Sequence, residues 1–145
     1  MIKVSPSVLS ANFADLATDI RALKPAGVEY IHIDVMDGNF VPNMSFAFPI
    51  VKAIRQLSDL VLDVHLMIDR PVRYVEEFCR SGADILTIHV EADTEENNLE
   101  ALRKIRACGV KAAISAPRAR NTCLSRSGTV TVMNGVGNAM TAISA

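Results

Sequence analysis

The chain has 145 residues, half of them hydrophobic, with 16 acidic and 15 basic side chains and a formal charge of -1. That suffices for one domain with a real core, and so slight a net charge predicts no global field to steer a polyanion. No apolar run approaches the ~20 residues of a bilayer span, and Met1-Ile2-Lys3-Val4-Ser5-Pro6 lacks the basic and apolar segments of a signal peptide, so no membrane association and a cytoplasmic location are expected.

In chain order, strands are expected near residues 3–9, 30–35, 61–67, 84–90 and 111–115, alternating with four amphipathic helices. The helical stripes are Phe13, Leu16, Ala17, Ile20 and Leu23; Ile50, Val51, Ile54 and Leu57; Val72, Val75, Phe78 and Cys79; and Leu99, Leu102 and Ile105. Pro71 belongs in a first helical turn, with Asp69 as its candidate cap. Ala26-Gly27-Val28, Ser81-Gly82-Ala83 and Cys108-Gly109-Val110 repeat one punctuation, a glycine between helix and strand, which predicts a left-handed C-cap at each. A strand–helix alternation of this kind calls for right-handed crossovers and a parallel sheet, hence an α/β fold. A doubly wound nucleotide binder would carry a glycine-rich loop after its first strand. Ser5-Pro6-Ser7-Val8-Leu9-Ser10 carries none, and inward polar residues at strand ends (Ser7, His32, Asp34, His65 and His89) suit the mouth of a (β/α)8 barrel.

Two strands thread metal-ligand side chains through aliphatic runs: Ile31-His32-Ile33-Asp34-Val35 and Leu62-Asp63-Val64-His65-Leu66. Side chains alternate faces along a strand, so His32 and Asp34 share one face, as do Asp63 and His65. Both runs are aliphatic enough to be buried on both sides, where such groups need partners, and a divalent metal would be one. Asp63 either orients His65 from behind or is purely structural; for His89, at the end of another strand, a structural hydrogen bond is expected rather than a metal bond. Met36 and Met67 follow these strands; sulfur ligation beside hard oxygen donors would be unusual, so apolar packing is expected of them.

Ser5 to Ala11, the thirteen residues Ile31-His32-Ile33-Asp34-Val35-Met36-Asp37-Gly38-Asn39-Phe40-Val41-Pro42-Asn43, and Leu62 to Ile68 resemble the ribulose-phosphate 3-epimerase family of the pentose phosphate pathway. Ser81-Gly82-Ala83-Asp84 and Thr87-Ile88-His89-Val90-Glu91-Ala92 extend the likeness, which runs from about residue 3 to about 115. The resemblance implies a (β/α)8 barrel, of which this chain holds the first five to six units. It implies an isomerase that interconverts D-ribulose 5-phosphate and D-xylulose 5-phosphate by metal-assisted proton abstraction at carbon 3 through an enediolate. It makes His32, Asp34 and His65 the ligands of one divalent ion (zinc, iron, manganese or cobalt), Asp34 also the catalytic base, and Ser7 and His65 substrate contacts. The expected partners are a small sugar phosphate and further copies of the chain. Allulose 6-phosphate, a six-carbon analogue, is the alternative substrate, and a non-catalytic half barrel the alternative function. A Schiff-base aldolase or an orotidine-phosphate-type decarboxylase would need a lysine at a strand's carboxyl end, whereas Lys3 and Lys111 open strands and Lys24, Lys52 and Lys104 lie on helical stretches.

Residues 1–115 are thus read as the barrel portion and 116–145 as a divergent tail. All 16 acidic residues lie at or before Glu100, against 8 basic ones there, while 7 basic and no acidic residues follow. Those basic residues are dispersed and no aromatic accompanies them, which argues against a nucleic-acid arm. The family's second acid, an aspartate on its seventh strand, therefore has no counterpart after Glu100, and of its later glycine-rich phosphate loops only Asn134-Gly135-Val136-Gly137-Asn138, after a sixth-strand-like Thr129-Val130-Thr131-Val132-Met133, is an echo. A complete barrel needs at least ~200 residues, so a truncated or frame-shifted epimerase is expected. Three cysteines, Cys79, Cys108 and Cys123, in no C-x-x-C spacing suit a reducing compartment, the first two as buried helix thiols.

Overall fold

The computed structural model describes residues 3–116. The tail from residue 117 onward, with Cys123, Thr129–Met133 and the glycine-rich echo after it, lies outside the described residues.

Four parallel strands, β1 (Tyr30–Met36), β2 (Val61–Met67), β3 (Ile85–His89) and β4 (Lys111–Ser115), lie side by side in sequence order. Four helices connect or precede them: α1 (Leu16–Leu23), α2 (Phe48–Leu57), α3 (Val75–Arg80) and α4 (Glu95–Ala107). Each strand follows the preceding helix through a short connection and lies next to the preceding strand, as consecutive units of a (β/α)8 barrel do. No helix among the described residues is long and apolar enough to cross a membrane.

The expected first strand over 3–9 is not a strand. Its chain makes one parallel bridge, Ser7 to His32, with His32 N–H donating to Pro6 O at 2.8 Å, and then turns into a 3-10 helix over Val8–Ser10. Pro6 has no N–H to give to a ladder, and the Ser7 hydroxyl accepts from Leu9 N, which starts the turn early. Asp69 likewise does not cap Pro71. Arg70 occupies that position with φ 48°, and Asp69 instead pairs with its side chain at 2.8 Å.

The core lies between the helices and one sheet face, where Ile31, Ile33, Leu62, Val64, Leu66, Leu86 and Ile88 meet Val51, Ile54, Val75, Phe78, Ala101 and Ile105. Burying each of the valine, leucine, isoleucine and phenylalanine side chains among them contributes about 1.5–3 kcal/mol. Two stripe members depart from expectation: Phe13 and Leu99 are exposed. Phe13 precedes α1 in a 3-10 turn, and in α4 the inward position is taken by Asn98, whose amide donates to Val90 O and Asp93 O at 2.8 and 3.1 Å. Cys108 is also exposed rather than buried, since it is the C-cap of α4, whereas Cys79 is half-buried.

At all three glycine junctions the glycine is left-handed and the next N–H bonds five residues back: Val28 to Leu23, Ala83 to Phe78 and Val110 to Ile105. This is the Schellman closure, and it delivers each chain into the next strand at a fixed angle. At Gly82 the requirement is doubled, because φ is 105° and an added Cβ would lie 2.6 Å from Arg55 Cγ.

Candidate metal centre

Register places the polar side chains. In the β1–β2 ladder His32 is the partner of Asp63 and Asp34 the partner of His65, so all four stand in a two-by-two block on the face turned away from the helices. Each is at least 96% buried. Asp34 is the hub: its Oδ1 lies 3.0 Å from His32 Nε2 and 3.1 Å from His65 Nδ1, and its Oδ2 accepts from the Ser7 hydroxyl at 3.2 Å. Behind the hub each imidazole has its own partner. His32 Nδ1 lies 2.9 Å from Asp63 Oδ2, and His65 Nε2 lies 2.6 Å from His89 Nε2. Asp63 thus supports His32, its ladder partner, rather than His65 two positions further along its own strand.

Electrostatics follow from this packing. Burial opposes a charge on His32, but hydrogen bonds to Asp34 and Asp63 outweigh it and raise the imidazole to about 9. Burial also opposes ionisation of Asp34, yet hydrogen bonds from His32 and His65 hold it below the ordinary carboxylate range. Burial and the neighbouring His65 push His89 down.

The donor set fits a divalent cation. One ligand atom from each of His32, Asp34 and His65 lies within 4.8 Å of the others, and two imidazoles with one carboxylate suit the borderline ions from manganese to zinc. The second nitrogen of each imidazole is already engaged, as metal-binding histidines require.

Two residues that the sequence reading left unassigned shape the mouth of the site. The Ser45 hydroxyl donates to Asp34 O at 2.6 Å and accepts from Met36 N at 3.0 Å, which pins the backbone of the hub residue. The Asp37 carboxylate accepts from Asn39 N, Phe40 N and Asp69 N at 2.8 to 2.9 Å, tying the loop after β1 to the loop after β2. Asp37-Gly38 directly after a strand was the available signal for the second; a lone serine gives none for the first. Met36 and Met67, at the ends of their strands, are half-buried beside this mouth.

Comparison with known proteins covers the same part of the chain. The sequence model of the ribulose-phosphate 3 epimerase family matches residues 3–134. The chain belongs to this family. It is 49% identical over 114 residues to the ribulose-phosphate 3-epimerase of Bacillus subtilis, covering 79% of this chain and 52% of that one. The enzyme of that name from Synechocystis is 50% identical over 111 residues, with 77% and 48% covered, and the chloroplastic ribulose-5-phosphate-3-epimerase of Arabidopsis thaliana 45% over 113, with 78% and 40%. The chain thus spans about half the length of the curated relatives it matches. Among solved structures, 7,8-dihydropteroate synthase of Vibrio fischeri superposes with a TM-score of 0.53 at 17% identity, covering 78% of this chain and 45% of that one, a likeness of fold alone.

Proposed function

We propose that this site is the proton-abstracting half of a ribulose-phosphate 3-epimerase, acting on D-ribulose 5-phosphate and D-xylulose 5-phosphate in the cytoplasm. The observation that carries the reading is the Asp34 carboxylate, held by two histidines through one oxygen and facing Ser7 through the other. His32, Asp34 and His65 would hold a divalent ion, with zinc, iron, manganese and cobalt all compatible. When bound, such an ion polarises the substrate ketone and offsets the negative charge of the enediolate. Asp34 is the base: with Oδ1 turned to the histidines, Oδ2 is left to take the proton from carbon 3. Ser7 marks where that face of the sugar sits, since its hydroxyl occupies the hydrogen-bonding position beside Oδ2. The buried walls keep water from competing for the proton. His32 is locked between Asp63 and Asp34 and His65 between Asp34 and His89, so both are oriented before substrate arrives.

Inversion also needs an acid on the opposite face of the planar intermediate, and no aspartate or glutamate follows Glu100 in these 145 residues. That observation favours a second reading, a metal-binding half barrel that is non-catalytic by itself or depends on a partner that supplies the missing acid. A coupled assay for xylulose 5-phosphate, with manganese or zinc added, separates the two. Turnover that Asp34→Asn abolishes supports the first reading; absence of turnover with any divalent ion, in protein that binds the ion, supports the second. Comparing ribulose 5-phosphate with allulose 6-phosphate in one assay assigns the sugar.

A further inference from the structure

His89 stands outside the ligand trio, yet its geometry is tied to it. It ends β3, its ring stacks on His65 with centroids 4.8 Å apart at 29°, and Phe40 covers it at a centroid distance of 5.1 Å. Its Nε2 faces His65 Nε2 at 2.6 Å. Its Nδ1 is buried without a hydrogen bond, and Glu91 Oε1 lies 3.4 Å away.

Two neutral imidazole nitrogens at that distance share a single proton, so one ring donates and the other accepts. What His65 Nδ1 does decides which. Facing the ionised Asp34 alone, Nδ1 must carry the proton, because a carboxylate only accepts. His65 Nε2 then accepts from His89, and His89 Nδ1 is a bare lone pair beside the Glu91 carboxylate. That arrangement sets two acceptors against each other at 3.4 Å. With Nδ1 given to a cation, the His65 proton sits on Nε2 and donates to His89 Nε2, and His89 carries its own proton on Nδ1, toward Glu91. Every nitrogen then faces a complementary group. Both arrangements place two protons on the pair of rings, so each ring changes tautomer while their total is unchanged.

We infer that His89 is a positioning residue of the metal centre: it accepts the His65 Nε2 proton and so holds His65 in the tautomer that offers Nδ1 to a divalent cation, with Glu91 facing the His89 Nδ1 proton. This rests on the reading of His32, Asp34 and His65 as ligands. The test is zinc affinity of the full chain by chelator competition, together with nitrogen NMR of the zinc-loaded imidazoles. His89→Phe keeps the ring packing and removes the acceptor; it weakens zinc binding about 10–100-fold, the range for loss of an outer-shell partner. His89→Gln, which offers an amide oxygen, retains most of the affinity. In the loaded wild-type protein His65 carries its proton on Nε2. Folded His89→Phe with wild-type affinity overturns the inference, as does a loaded His65 protonated on Nδ1, a result that stands even if the phenylalanine variant fails to fold. His32→Ala separates the two levels. Zinc binding lost there but untouched in His89→Phe sinks the role of His89 alone, whereas wild-type protein that binds no zinc sinks the ligand reading and this inference with it.

Discussion

At the scale of single residues the centre is a set of mutual obligations, and each can be broken separately. Asp63→Ala strips His32 Nδ1 of its carboxylate 2.9 Å away and leaves a buried N–H without a partner. Folding stability in urea should fall by about 1–3 kcal/mol, the usual cost of an orphaned buried donor. Divalent-ion affinity should fall by about 10–100-fold as His32 loses its orientation. Acidity gives a second handle. His32 is raised from 6.5 to about 9 in the folded chain, so the stability it contributes to chelator-treated protein is fully present below pH 6.5 and is lost as pH rises through about 9. The urea midpoint of metal-free protein should therefore decline across that interval, and His32→Gln should flatten the decline. The thiols form a contrast. Burial, then the neighbouring Cys108, pushes Cys79 up to about 12, while Cys108 itself is exposed. Peptide mapping after brief iodoacetamide treatment at pH 8 should find Cys108 alkylated well ahead of Cys79.

Among elements, the helix-to-strand junctions carry the strongest local demand. Gly82→Ala places a Cβ at 2.6 Å from Arg55 Cγ at φ 105°, against the side chain that pairs with Asp84 at 2.8 Å and bonds Ser58 O and Leu60 O. Gly109→Ala meets nothing within 4 Å. Both suffer a left-handed backbone, at about 1–3 kcal/mol, and only the first adds a clash, so denaturation should rank Gly82→Ala as the more damaging. These junctions were legible in the sequence because a glycine between two differently periodic stretches has few other meanings. β1 and β2 were legible for a related reason: alternation with aliphatic residues fixes both the strand and the face on which His32, Asp34, Asp63 and His65 stand. What stayed hidden depends on neighbours remote in the chain. Asp63 serves His32 rather than His65 because register, not spacing within its own strand, decides its partner. Leu99 yields the inner face of α4 to Asn98 because the loop after β3 presents carbonyls there. The segment over 3–9 has strand-like composition, but Pro6 and the Ser7 turn leave it one bridge.

For the molecule as a whole, the described sheet stops at β4 with no strand on its outer side, and Ile114 there is 36% exposed. An exposed aliphatic side chain on the last described strand offers apolar surface for association. Sedimentation should therefore show association that grows with concentration, and Ile114→Lys should reduce it without altering zinc affinity. Register has a further consequence. Side chains alternate with a period of two, so sliding β2 by one position against β1 would send Asp63 and His65 into the helix layer and leave His32 and Asp34 facing aliphatic carbon. On the proposed ligand reading, cation uptake is a vernier for strand alignment, and a zinc-sensitive dye added during refolding should clock the instant at which the first two full strands click into their native offset.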